Sequence, residues 1–313
     1  MSAGPPSQTP EVISVGIATI DYLAAVRRGS PIERFGRELI ERYGVEGGGV
    51  AATAGVACSR LGMRTAHWGC VGRDEAGQAI IAGLETEGVS TGQVVRVRNG
   101  RTPVGFVLVD AATGERRLLF YAGSGLPPTL PRFPWSQVRG AKAIVLDAWW
   151  LALSTEVARR AKAAGVPVVA DVTPADYLCG LLAHVDAVFA PRPPELEEAT
   201  AETVAPILER MHKYGPPVVG MTLGAEGCWY SAGEGAMHQP AFSVPVVDTT
   251  GAGDTFHGAI AYGLARGWEV RRTVEFAAAV AALKCRALGG RSGIPSLRET
   301  LAFLRSQGSL LWH

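Results

Sequence analysis

The chain has 313 residues, enough to bury a sizeable core as one large α/β domain or as a domain with an appendage. Lys and Arg number 30 against 29 Asp and Glu, a formal net charge of +1, which excludes an overall field that would recruit nucleic acid or an anionic membrane. Five scattered cysteines (Cys58, Cys70, Cys179, Cys228 and Cys285) form no C-x-x-C pair, which argues against a zinc site or a disulfide framework and suits a reducing cytoplasm.

The first segment, MSAGPPSQTPE, is polar and proline-rich and reads as a disordered leader over residues 1–11, with one domain expected over 12–313. No uninterrupted apolar run reaches membrane-spanning length, since AIVLDAWWLAL is short and carries Asp147. Apolar β-type runs then recur in order: VISVGI (12–17), TAHWGCVG (65–72), KAIVLDA (142–148), VPVVADV (166–172), DAVFA (186–190), PVVGMTL (217–223) and CWYSA (228–232). Helix-like stretches such as AATAGVACSRLG and STEVARRAKAAG lie between several of them, with stop signals at Gly62, Gly88, Gly165 and Gly215. Buried strands alternating with helices predict an α/β fold, a central mostly parallel sheet flanked by helices.

Two segments break the rhythm. Residues 33–46 (ERFGRELIERYGVE) and 102–121 (TPVGFVLVDAATGERRLLFY) read as antiparallel ribbon, and in the second Val104, Phe106 and Leu108 alternate with residues facing the other way. They predict a small antiparallel β lid on the α/β body.

Residues 47–55 read GGGVAATAG, and Gly47, Gly49 and Ala52 match the G-x-G-x-x-A fingerprint of a dinucleotide turn. That fingerprint requires a buried strand immediately before it. The preceding ERYGVE is charged and ribbon-like, so the match is a coincidence of small residues.

A second glycine loop carries more chemistry. In VPVVDTTGAGDTFHGAIAYGLARGW (244–268) a strand-like VPVV leads into D-T-T-G-A-G-D, and a helix follows with Phe256, Ala259, Ile260 and Leu264 on its apolar stripe. Gly251, Ala252 and Gly253 at the helix entry leave main-chain N–H groups free to converge on an anion. Asp254 would repel a resting phosphate there. It makes sense as a base that takes a proton from a hydroxyl attacking the phosphate, although an acid at a helix N-terminus is also favoured by the macrodipole alone.

The stretch DTTGAGDTFHGA resembles the C-terminal signature of the ribokinase-type (PfkB) sugar kinases, and the resemblance covers nearly the whole chain. GGGVAATAGVACSRLG followed by GCVGRDEAGQAIIAGLETEGVST resembles the N-terminal signature, TLGAEGCWY the T-x-G-x-x-G stretch of the nucleotide side, and AALKCRALGGRSGIPS the closing helix and loop. The resemblance implies an ATP-dependent phosphotransferase acting on a sugar hydroxyl. Asp254 is then the general base, and Gly251, Ala252, Gly253 and the Asp254 amide form the anion hole. It places Asp21, Gly48, Gly49 and Thr53 at the sugar, with Thr53 standing where the family often has Asn, and Thr222, Gly224 and Gly227 at the nucleotide. It implies Mg2+ as well, for which Glu195 aligns with the family acid while Arg192 replaces the Asn. A K+ ion held through Asp248, Thr250 and the stretch from Arg286 to Ser292 is the last implied cofactor.

Within the family, the D-T-T signature together with ALKC…GGRSGIP looks most like the sulfofructose kinase branch, and Arg37 in the first ribbon is the candidate donor for a sulfonate. Phe120, Trp149 and Trp150 instead suggest an aromatic wall, better suited to an uncharged sugar face, so a ketohexose or fructose-like sugar is expected. A nucleoside kinase of the same fold and a non-catalytic sugar- or nucleotide-binding relative stay open. Exposed lid edges suggest a homodimer through the lid.

Overall fold

A computed structural model describes residues 9–26, 39–111, 116–127, 134–172 and 179–312. Residues 1–8 of the expected leader and Arg37 lie outside the described residues.

The chain opens with β1 (Val12–Val15), β2 (Thr19–Val26), β3 (Arg42–Gly48) and α1 (Val50–Arg60). Next come β4 (Thr65–Trp68), β5 (Cys70–Gly72), α2 (Glu75–Thr86), β6 (Val89–Ser90) and β7 (Val95–Val97), then the hairpin strands β8 (Val104–Asp110) and β9 (Arg116–Tyr121). Alternation follows: α3 (Trp135–Gly140), β10 (Ala143–Asp147), α4 (Leu151–Ala163), β11 (Val168–Asp171), α5 (Cys179–Leu182), β12 (Ala187–Pro191), α6 (Ala201–His212) and β13 (Val218–Thr222). The last part adds β14 (Cys228–Ser231), β15 (Met237–Gln239), α7 (Ala252–Ala265), α8 (Val270–Lys284) and α9 (Leu297–Ser306).

Nine strands form the main sheet in the order β15-β14-β13-β12-β11-β10-β1-β4-β6. From β6 to β13 neighbours run parallel, and β14 and β15 return antiparallel at the far edge. Helices α1, α7, α8 and α9 cover one face, where Phe256, Ile260, Phe276 and Leu304 pack on Val145, Val169 and Phe189. On the other face Val138, Leu153, Val157, Leu181 and Leu208, from α3 to α6, pack on Ile13, Ile144 and Val188. This double cover explains why the central strands read as unbroken apolar runs. The predicted stop glycines hold, with φ of +95° at Gly62, +73° at Gly88, +69° at Gly165 and +118° at Gly215.

The lid is a separate sheet of order β3-β2-β8-β9. Here the sequence expectation needs correction. The lid includes β2, a strand outside both expected ribbons, which pairs antiparallel with β3 and parallel with β8. Asp21 therefore sits inside a lid strand rather than just beyond a core strand. Two smaller corrections concern the main body. TAHWGCVG is broken at Gly69 into β4 and β5, the latter pairing with β7 in its own sheet, and residues 244–247 join no sheet. Among the described residues, no helix is long and apolar enough to cross a membrane.

Candidate active site

The carboxyl ends of the parallel strands, the start of α7 and the inner face of the lid converge on one cleft, the usual place for a ligand in an open α/β sheet. The turn into α7 is built on Gly251, whose φ of +74° is left-handed and whose missing Cβ would lie 2.7 Å from the Gly290 carbonyl oxygen of the closing loop. Beyond it the main-chain amides of Gly253 and Asp254 have no main-chain acceptor among the described residues, and the space beside the Gly253 Cα is open. Asp254, half-buried in this first turn, has its pKa pushed up to about 7, first by burial and then by the charge of Asp171, against the pull of Arg116 and His257. A carboxylate so tuned beside open amides can accept a proton near neutrality.

His257, one turn on, escaped the sequence reading. Its Nδ1 lies 2.8 Å from the Gly253 carbonyl oxygen and 2.9 Å from Asp171 Oδ2, and its Nε2 lies 2.9 Å from the Phe189 carbonyl oxygen. Both ring nitrogens thus face acceptors only, so the ring is a doubly protonated imidazolium. Burial opposes that charge, but Asp171 and the two carbonyls outweigh it and raise the pKa to about 9. The only sequence signal was a histidine on an otherwise apolar helix face.

The lid contributes Asp21, Glu46, Gly105 and Phe120 in register across β3, β2, β8 and β9, all on the inner face. Thr19 Oγ1 donates to Asp21 Oδ1 at 2.8 Å, and burial raises the Asp21 pKa against that bond and the nearby Arg291 charge. The carboxylate occupies the space a Cβ on Gly48 would need, while a Cβ on Gly49, φ +89°, would lie 2.5 Å from the Ile17 carbonyl oxygen. So Gly48 and Gly49 are glycines because the lid and the β1–β2 turn press on them.

Thr53 is buried, and Arg291 reaches it. The Arg291 guanidinium donates to the Gly48 carbonyl at 2.8 Å, approaches Thr53 Oγ1 at 3.5 Å, and fills the volume a Cβ on Gly47 would need. Burial draws its pKa down to about 10. The sequence reading named Arg291 only within the Arg286 to Ser292 stretch of the implied cation site, whereas its guanidinium lies against Gly48 and Thr53. Glu46 accepts from the amides of Arg291 and Ser292 at 3.1 and 3.2 Å and from the Ser292 hydroxyl, tying the lid to the closing loop. Arg116 Nη1 donates to the Thr249 carbonyl at 2.9 Å, a second tie from lid to D-T-T loop.

Asp147 is structural. Buried at the end of β10, it accepts from the amides of Ile17 and Ala51 through Oδ2 (2.8 and 3.2 Å) and of Trp149 through Oδ1 (2.9 Å). It thereby caps α1, whose N-cap Gly49 has no side chain to do so. The two tryptophans after it diverge. Trp150 joins the core, whereas Trp149 is exposed and meets Phe120 edge-on, with ring centroids 5.4 Å apart.

Of the residues expected at the nucleotide, Thr222 ends β13 and Gly224 (φ +59°) opens a one-turn helix with free space around it. A Cβ on Gly227 would overlap the Gln239 carbonyl, so that glycine serves the tight turn. Arg192 pairs with Glu226 at 2.8 and 2.9 Å and receives its orientation there, while Glu195 is exposed on the same loop. The expected magnesium acid is therefore not part of a preformed cluster: among the described residues no three His, Cys, Asp or Glu are placed to hold a metal. The Asp248 carboxylate is likewise engaged, by the Thr250 amide and hydroxyl (2.8 and 2.7 Å) and by the Gly289 amide (2.7 Å).

Comparison with known proteins agrees with the fold. The ribokinase of Haemophilus influenzae is 29% identical over 273 residues, covering 84% of this chain and 89% of that protein. The structure of Arabidopsis thaliana ribokinase complexed with ribose and ATP superimposes with a TM-score of 0.80 at 26% identity, over 95% of this chain and 99% of that one. Thermotoga maritima ribokinase gives 0.79 at 26% identity, with the same coverage of 95% and 99%. The model of the pfkB family of carbohydrate kinases matches residues 9–297, and the chain, a sugar kinase, belongs to that family.

Proposed function

We propose that the protein transfers the γ-phosphoryl group of ATP, taken up as Mg-ATP, to a hydroxyl of a fructose-like ketohexose. The observation that carries this reading is Asp254: a carboxylate with its pKa raised to about 7, in the first turn of a helix whose amides are open, under a lid that presents Asp21 and Arg116. The substrate hydroxyl gives its proton to Asp254 as its oxygen bonds to the γ-phosphorus, and the bridging bond to ADP breaks. The amides of Gly253 and Asp254, in the turn made by Gly251 and Ala252, stabilise the charge on the transferred group. Asp21 accepts hydrogen bonds from vicinal hydroxyls, and Gly48 and Gly49 let the ring lie close to the backbone. Arg291, behind Thr53, supplies the donor charge where a longer amide side chain would reach.

Thr222 and Gly224 bound the nucleotide side, and Gly227 holds their turn. Glu195 would be an outer contact for Mg2+ brought by the nucleotide, where the metal would neutralise phosphate charge, which suits a chain with no preformed acidic cluster among its described residues. The exposed Phe120–Trp149 pair walls the acceptor side and favours an apolar sugar face. The same pair supports a second reading, stacking of a nucleoside base. The exposed outer face of the lid supports a homodimer. The buried free cysteines Cys58, Cys70, Cys228 and Cys285 fit an enzyme of the cytoplasm.

The test is ADP release from Mg-ATP with fructose, ribose, sulfonated and phosphorylated fructose analogues, and nucleosides, beside Asp254→Asn. Fructose turnover that disappears in the variant supports the proposal. A higher kcat/KM for ribose or for a nucleoside replaces the ketohexose, and turnover surviving in Asp254→Asn rejects the base.

A further inference from the structure

Lys284, the last residue of α8, is fully buried, although a lysine almost never is unless its charge is paired. Its ammonium donates to the main-chain carbonyl of Asp248 at 3.0 Å. Asp248 is itself fully buried and is the first residue of the D-T-T-G-A-G-D loop. The charged groups that face Lys284 from the surrounding elements are Asp248 and Glu46, which favour the ammonium, and Arg116, which opposes it; burial is the largest influence and lowers the pKa.

The ammonium stands where two loops meet. Asp248 binds the Gly289 amide of the closing loop through Oδ2, the amides of Val247 and Asp248 both donate to the Cys285 carbonyl, and Gly251 abuts Gly290. This is the region where the family resemblance implies an exchangeable K+ held by carbonyls. The residues present do not fit that ion. Both carboxylate oxygens of Asp248 are taken by donors, and its carbonyl is taken by a side chain that already carries the positive charge.

We propose that Lys284 is the resident monovalent cation of this site. Its tethered ammonium balances the carbonyls of the D-T-T and closing loops and holds the α7 entry in place, so the enzyme needs no K+. As a positioning residue it acts through the Asp248–Gly251 turn, and its role in turnover rests on the reading of that turn as the anion hole. A fixed charge costs no ion-binding equilibrium, and it makes the site insensitive to the ionic composition of the medium.

The experiment compares the protein in choline chloride and in potassium chloride at equal ionic strength, by thermal melting and by turnover, for the wild type and for Lys284→Met. In the wild type neither melting temperature nor kcat should change with K+. In Lys284→Met, kcat in choline should fall on the order of a hundredfold, as when one stabilising donor is lost, and K+ or ammonium should restore part of it and raise the melting temperature saturably. A wild type whose melting temperature or kcat rises saturably with K+ overturns the proposal, as does a folded Lys284→Met with full activity in choline. If Lys284→Met fails to fold, the wild-type melts decide the question. Melting needs no turnover, so it stands even if no sugar is phosphorylated, and Asp254→Asn tests the anion-hole reading separately.

Discussion

The imidazolium of His257 and the carboxylate of Asp171 form an ion pair of 2.9 Å behind the start of α7, with 4% and 18% of their side chains exposed. Each charge tempers the other's effect on Asp254, which Asp171 pushes up and His257 pulls down. His257→Gln keeps a donor but removes the charge. The Asp254 pKa should then rise, so the acid limb of kcat/KM moves to higher pH. The unpaired Asp171 should cost about 3 kcal/mol of stability, read by denaturant unfolding.

The same pair makes stability depend on pH in a defined direction. The folded pKa of His257, about 9, lies above its ordinary value of 6.5. The contribution is therefore fully present below pH 6.5 and is lost as the pH rises through about 9. A melting-temperature series should fall over this window in the wild type and be flatter in His257→Gln.

For Asp254 the expected profile is a kcat/KM that drops on the acid side with an apparent pKa of about 7, because the base must be ionised. The value belongs to Asp254 together with its charged neighbours rather than to one group alone. Asp254→Asn should lower kcat roughly a thousandfold, within the span of general-base contributions, while the sugar KM changes little. A variant that retains most of its kcat would remove Asp254 from the chemistry.

Much of this was legible in the sequence, for identifiable reasons. Gly62, Gly88, Gly165 and Gly215 mark helix ends because only glycine adopts their positive φ cheaply. D-T-T-G-A-G-D announces a helix start with open amides because the turn and the amides are made by neighbours in sequence. The lid was harder. Asp21 sits in a strand whose parallel partner is β8, far along the chain, and no local pattern encodes a pairing at that distance. The roles of His257, Lys284 and Arg291 were missed for a related reason. Each is a single polar residue within an apolar or glycine-rich run, and its meaning comes from Asp171, Asp248 and Gly48, which only the fold brings near. Thr53 shows the converse: its departure from Asn was visible, but the side chain that fills the gap was not.

Gly47 and Arg291 should be energetically coupled. A Cβ at Gly47 would overlap the guanidinium, so Gly47→Ala should cost about 1–3 kcal/mol through overpacking and raise the sugar KM by displacing Arg291. In an Arg291→Met background the same alanine meets a flexible, uncharged chain and should cost much less. A double-mutant cycle by urea unfolding measures the difference. Equal costs in both backgrounds would show that Arg291 is not what constrains Gly47.

The outer face of the lid gives the last prediction. Tyr22, Tyr43, Val45, Phe106, Leu119 and Tyr121 are each between 37% and 64% exposed, and Tyr22 stacks on Phe106 with centroids 5.5 Å apart. The register carries Val45, Tyr22, Phe106 and Leu119 straight across the four strands, so the exposure is a continuous stripe and not a scatter of single residues. A sheet needs its apolar face covered to be stable, and the inner face is already turned to the cleft. A second copy of the lid is the cover we propose. Sedimentation of the wild type should give a dimer and Phe106→Asp a monomer. With the stripe uncovered and the lid less firmly held, the monomer should bind sugar more weakly, with kcat at saturation less affected. A wild type that sediments as a monomer would leave the stripe facing water and end the proposal.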